Sequence, residues 1–145
     1  MSQLENFLTD EEEREVVESI RKAEKETSGE IRVHLEKQCE GDPLQRAKAV
    51  FEMLDMHKTR LKNGVLIYVA VNDKVFAICG DKGIDDVVAD NFWDSTKEAM
   101  GAQFREGRFA QGLIAGISRA GSELQRYFPC EDDDTDELSN EISRG

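Results

Sequence analysis

The chain has 145 residues, 39% hydrophobic and 34% charged, and a net charge of −12. That length supports one domain with a single real core. The charge argues against a nucleic-acid backbone or an anionic membrane as main partner, because both are polyanions; it leaves cations, basic proteins or plain solubility.

No basic segment followed by an apolar stretch opens the chain, and the longest apolar run is Val65 to Val71. Neither a secretory signal nor membrane insertion is expected from that pattern. Cys39, Cys79 and Cys130 are odd in number and far apart. They predict a reducing, cytoplasmic compartment rather than a disulfide framework. Without a CxxC or a Cys/His cluster, structural zinc is not expected.

Residues 1–6 are expected to be loose. Thr9 followed by Glu12 matches a capping box, with Glu11, Glu12 and Glu13 where a helix dipole favours anions. Val16, Val17, Ile20 and Ala23 recur at helical spacing, which predicts a helix from about 10 to 26 with Gly29 as a left-handed cap. Glu30 to Glu36 alternates polar and apolar, the pattern of a half-covered strand. It places His34 on the polar face, as a surface residue. Asp42-Pro43 starts a second helix as N-cap and first helical residue, with Leu44, Ala47, Val50, Phe51 and Leu54 as its buried stripe. His57 falls near the exit of that helix.

Asn63-Gly64 opens the apolar run Val65–Val71, which suits a central strand covered on both faces. Asn72-Asp73-Lys74 turns it back into an antiparallel strand, Val75 to Cys79, ended by Gly80-Asp81-Lys82-Gly83. A short turn covers Asp85 to Val88. Asp90 can cap a helix carrying Phe92, Trp93, Thr96, Met100 and Phe104, with Trp93 anchoring it on the sheet. After a turn at Arg105–Arg108, a last helix spans about 109–127. Its Gly112, Gly116 and Gly121 each cost about 1 kcal/mol against alanine and imply close contact with another element. Residues 131–145 hold seven acids and one arginine. Residues 130–145 therefore read as an acidic disordered tail behind a domain at 7–129; Leu138 and Ile142, at helical spacing, leave folding on a partner open.

The order of elements predicts an α/β fold: a three-layer α/β/α sandwich with a short mixed sheet, loosely Rossmann-like. Such a fold implies no chemistry by itself.

Five segments in order carry a resemblance: Phe7-Leu8-Thr9, Thr27-Ser28-Gly29-Glu30-Ile31-Arg32-Val33, Asn63-Gly64-Val65-Leu66-Ile67-Tyr68-Val69, Gly80-Asp81-Lys82-Gly83-Ile84 and Phe104-Arg105-Glu106-Gly107-Arg108-Phe109 leading to Gly112. Together they resemble the TPM domain of thylakoid-lumen proteins, photosystem repair factors and an acetylcholine-receptor modulator. The similarity runs over about residues 7–128. It implies an α/β/α sandwich and binding of a divalent cation, calcium in particular; acid phosphatase activity is proposed for plant members. The family's paired aspartates before the first helix fall at about Gln3 and Leu4 here, so a site using that pair does not transfer. The glycine turn after the third strand is one residue longer.

Antiparallel pairing brings Ser28, Glu30, Asn63, Asp81 and Asp85 to one pole of the sheet. Hard cations take several oxygen ligands from carboxylates, amides and carbonyls, and Gly64, Gly80 and Gly83 let carbonyls approach. Glu30, Asn63, Asp81 and Asp85 are therefore the candidate ligands for Ca²⁺ or another divalent ion. The competing reading makes Asp81, Asp85 and Asp86 ordinary turn and cap residues. The opposite pole carries Glu36, Lys37, Gln38, Asn72, Asp73 and the region of Asp10, and reads as a solvated rim. Cys79 reads as a core residue, while Cys39 and Cys130 fall in exposed segments. Three functions follow: a divalent-cation-binding domain, a metal-dependent phosphatase-like hydrolase, or a protein-interaction module using the tail or the glycine-lined last helix.

Overall fold

The computed structural model describes residues 7–130 and 142–145. Thr9 caps the first helix, α1 (Asp10–Glu24), through the full capping box: Glu12 N–H donates to Thr9 Oγ1 at 3.1 Å and Thr9 N–H to Glu12 Oε1 at 2.9 Å. Strand β1 spans Glu30–Glu36. Helix α2 (Pro43–Met53) starts with Asp42 accepting from Gln45 N–H and Pro43 in the first turn. A single 3-10 turn, Met56–Lys58, contains His57 and leads to β2 (Gly64–Ala70) and β3 (Val75–Gly80). Then come the one-turn α3 (Lys82–Asp85), α4 (Phe92–Arg105), α5 (Phe109–Tyr127) and a two-residue strand, β4 (Ser143–Arg144).

The sheet order is β3-β2-β1-β4. β1 and β2 run parallel, from Glu30 opposite Gly64 to Glu36 opposite Ala70. β3 is antiparallel to β2. One face packs α1, α4 and α5: Val16, Ile20, Met100, Leu113, Ile117 and Leu124 meet Ile31, Val33, Leu35, Val65 and Ile67. The other face carries α2, whose Ala47, Val50 and Phe51 meet Leu66, Tyr68, Ala77 and Cys79. This is the α/β/α sandwich expected from the order of elements, with three long helices on one side and one on the other.

The helix glycines act as predicted. A Cβ on Gly112 would stand 2.3 Å from Phe104 Cε1, and one on Gly116 2.6 Å from Met100 Sδ. A Cβ on Gly121 would come within 3.0 Å of the Ala23 methyl. Both α4 and α1 therefore press on the glycine face of α5, and that face is not free for a partner.

Several local expectations are corrected. Gly29 is not a left-handed cap: α1 ends at Lys25 in right-handed conformation, and Gly29 is needed because a Cβ there would strike Leu124 at 2.6 Å. Leu44 is exposed. The predicted turn at 85–88 forms earlier, as α3, because Asp81 caps it. Asp90 does not cap α4; Asn91 precedes it without a side-chain cap bond. β1 is covered on both faces, with Glu30, His34 and Glu36 all buried. The tail was expected to run free from 130. Its residues 131–141 lie outside the described residues, but 142–145 return to the sheet, where His34 pairs with Ser143 and Leu35 with Arg144. Ile142 is buried, and Arg144 forms an ion pair with Glu13.

Candidate functional site

The candidate pole is built where β1 and β2 begin and β3 ends. Glu30 pairs with Gly64, and Asp81 N–H donates to Gly64 O at 2.8 Å. Glu30, Gly64 and Asp81 thus form one row across three strands. By register the flanking side chains project to the α2 face, where Phe51 and Met56 pack over Gly64. Glu30 N–H donates to Asn63 O at 3.4 Å, and Asn63 Nδ2 to Ser28 Oγ at 3.4 Å. The loop before β2 presses on α3 so closely that a Cβ on Gly83 would stand 2.3 Å from Leu61 O and 2.5 Å from Lys62 O. The sequence-predicted segments therefore do meet.

Their side chains are not all used alike. Glu30 and Asn63 are only 2% and 1% exposed. Asp81 Oδ1 accepts from Lys82 N–H at 2.7 Å, the cap of α3. Asp85 is engaged elsewhere: its Oδ1 accepts from Trp93 Nε1–H at 2.8 Å. Trp93 in turn packs on Gly80, where a Cβ would be 2.6 Å from Trp93 Cζ2, so it does hold α4 to the end of β3. Among the described residues, Asn63 Oδ1, Asp81 Oδ2 and Thr59 Oγ1 are buried atoms with no hydrogen-bond partner. Buried acceptors of this kind are uncommon and call for an explanation.

A complete protein cage for calcium does not fit this arrangement. Among the described residues no three His, Cys, Asp or Glu side chains gather closely enough to hold a metal ion. What the pole offers is a shallower donor set: Glu30, Asn63 and the second oxygen of Asp81, beside loop carbonyls.

The opposite pole, read from sequence as a solvated rim, holds a buried ionic network. Tyr68 O–H donates to Glu36 Oε2 at 2.6 Å, and Arg46 Nε–H to the same oxygen at 3.1 Å. Arg46 Nη2 reaches Glu36 Oε1, and His34 Nε2 lies 3.2 Å from it. His34 Nδ1 shares a hydrogen bond with Ser143 Oγ at 3.0 Å, and its ring stacks on Tyr68 with centroids 6.0 Å apart. Burial pushes the Glu36 carboxyl up, but the hydrogen bonds from Arg46, Tyr68 and His34 outweigh it and hold the pKa at about 2. Burial lowers the His34 pKa against the pull of Glu36. Burial also raises Tyr68, aided by its bond to Glu36. His34 is therefore no surface histidine. Its neighbours arrive from β2, α2 and β4, which strand alternation cannot reveal; the one available signal was that every polar position of β1 is charged or a histidine.

Asp73, on the same side, accepts from Cys39 N–H at 2.7 Å and ties the turns after β1 and β2 together. Cys79 lies in the core, where burial pushes its thiol up to about 12. Cys39 is half-buried and Cys130 exposed. No helix among the described residues is long and apolar enough to cross a membrane.

A family model described as the TPM domain matches residues 1–123. The chain is similar to the BA42 protein of the psychrophilic bacterium Bizionia argentinensis, whose NMR structure is 60% identical, covers 96% of each chain and superposes with a TM-score of 0.88. More distant are N-terminal domains from P. gingivalis (17% identity, 84% of this chain and 79% of that one, TM-score 0.67) and of cg2496 from Corynebacterium glutamicum (14%, 81% and 74%, TM-score 0.58). These two share the fold. No curated protein matches. With most of its length matched by the family model and a close structural relative beside it, the chain belongs to the TPM domain family.

Proposed function

We propose that this TPM domain binds a divalent cation, calcium first among them, at the pole formed by Glu30, Asn63 and Asp81. The observation that carries the reading is the row Glu30–Gly64–Asp81 with buried, unpartnered oxygens on Asn63 and Asp81 beside it. Strands stand about 4.8 Å apart, so the two acidic residues are two strand spacings from each other with bare glycine between. Directly over Gly64 the space is filled, since a Cβ there would stand 3.4 Å from Met56 O and 3.5 Å from Phe51 Cζ, so the ion would sit at the outer rim of the row, toward Asn63 and Asp81. Asp85 takes a supporting part, fixing α3 through Trp93 rather than ligating. Few protein ligands mean that water completes the coordination, which places the affinity in the weak range of about 10⁻⁴–10⁻³ M.

A calcium titration followed by backbone amide signals tests this. Shifts should concentrate at Gly29–Glu30, Asn63–Gly64 and Gly80–Lys82, with Asp81→Asn weakening binding about tenfold or more. Amides that stay still at those positions through millimolar calcium, or an unchanged affinity in both Asp81→Asn and Asn63→Ala, would remove the proposal.

A further inference from the structure

On the α1/α4/α5 face, where β2 ends and β3 begins, a cavity of about 730 Å³ opens among Phe7, Val69, Phe76, Gly101, Phe104 and Phe109. It is far from the cation pole and plays no part in the reading above. Its volume lies within the range of small-molecule sites.

Three features point to a ligand. First, four phenylalanines form a continuous wall. Phe76 meets Phe104 edge-on at 4.8 Å, Phe104 lies 6.1 Å from Phe109, and Phe109 lies 4.5 Å from Phe7. All four are only partly buried, so their apolar surface is unfinished.

Second, the glycine at 101 is not demanded by packing. A Cβ there would be 3.5 Å from Phe76 Cζ and 3.3 Å from the movable tip of Arg105. Gly112 and Gly116, by contrast, are pinned at 2.3 Å and 2.6 Å. Glycine is a poor residue for a helix interior, and at 101 its visible effect is to keep the cavity wall open.

Third, the charge at the mouth opposes that of the chain. Lys74 and Arg105 line the cavity, Lys97 lies 5.5 Å from the Phe76 ring centre, and no described lining residue is acidic, in a chain of net charge −12. Lys74 is held at φ 56°, a left-handed conformation that suits glycine or asparagine better. Arg105 also meets Glu98 at 3.4 Å on the surface, a pair too exposed to hold it from a ligand.

We propose that this cavity binds a small amphipathic carboxylate, its apolar body against the phenylalanine wall and its carboxylate at the mouth beside Lys74 and Arg105.

Decanoate, with 1-decanol as its uncharged counterpart, tests the proposal by amide and methyl NMR on the full chain. Decanoate should shift signals of Val69, Val71, Gly101 and Phe104. The exposed double variant Lys74→Asn/Arg105→Gln should weaken decanoate at least tenfold and leave decanol unchanged. Gly101→Leu, which fills the cavity, should abolish both. Silence of these signals with decanoate overturns the proposal. So does equal binding of decanoate and decanol, or decanoate binding that the double variant leaves intact. Concentration-dependent self-association that buries the phenylalanine wall and disappears in Gly101→Leu would make the groove a contact between copies, and overturns it as well.

Discussion

At the carboxyl end of β1, Glu36 is buried and answered on every side, by Arg46, Tyr68 and His34. At the amino end of the same strand, Glu30 is just as buried, but the oxygens beside it on Asn63 and Asp81 have no hydrogen-bond donor among the described residues. The difference separates architecture from function. A buried charge held by several hydrogen bonds fixes the register of the elements around it; here Glu36 ties α2 and β2 to β1, and His34 ties β4 through Ser143. Buried acceptors left without a donor, as on Asn63 Oδ1 and Asp81 Oδ2, carry an uncompensated desolvation cost. The first end is nearly satisfied, with only His34 Nε2 left without a hydrogen-bond partner there among the described residues, and the second is the end to which the cation proposal applies.

The largest test of this contrast removes the cation from the satisfied end. Arg46→Met keeps the aliphatic stem but leaves Glu36 short of its strongest partner. Breaking such a pair should cost about 3 kcal/mol, read from urea unfolding at pH 7. The matching change at the other end, Asp81→Asn, keeps the cap on Lys82 and removes an orphan charge. It should move stability by no more than about 0.5 kcal/mol.

Acid should expose the same asymmetry. The folded pKa of Glu36 is depressed from 4.5 to about 2. Its contribution is therefore complete above pH 4.5 and is lost as pH falls through that value toward 2. A shift of that size corresponds to about 3 kcal/mol. Neutral His34 works in the same direction, beginning to weaken the fold below its ordinary value of 6.5. Unfolding free energies collected from pH 7 down to 2.5 should fall along this course, and Arg46→Met should flatten the acidic part. An unchanged slope in that variant would mean that other carboxylates dominate.

Tyr68→Phe removes one hydrogen bond to a charged group and should cost about 1.5–3 kcal/mol. It should also raise the Glu36 pKa, visible in the carboxyl carbon titration. The smallest expected effect is at Asp85. Asp85→Asn should change the emission of Trp93, the one tryptophan, while calcium affinity stays within about twofold, since Asp85 is read as a support. A larger loss would return Asp85 to the ligand set and sharpen the cation site.

Much of this protein was legible along the chain because the signals are local. The Thr9–Glu12 capping box, the Asp42-Pro43 start, the apolar run of β2 and the turn into β3 each need only a few neighbouring residues to specify backbone. The glycines of α5 announced close packing because nothing else justifies three of them in one helix. The meeting of segments at the candidate pole was legible in part: strand order brings Glu30, Asn63 and Asp81 together, but the turning of Asp85 toward Trp93 depends on where α4 lands.

By itself, then, the sequence determined the main elements, their order and the family, though not β4 at the sheet edge. Tertiary structure decided which polar residues are buried and with whom. Alternation marks Glu30, His34 and Glu36 as one side of a strand, yet it cannot say that α2 supplies Arg46, that β2 supplies Tyr68, or that residues 142–145 return to close the sheet edge beside His34. The physical reason is range. Periodicity and capping act over a few residues, whereas the hydrogen-bond partners of buried Glu36 lie 10 and 32 positions away and that of buried His34 lies 109 away.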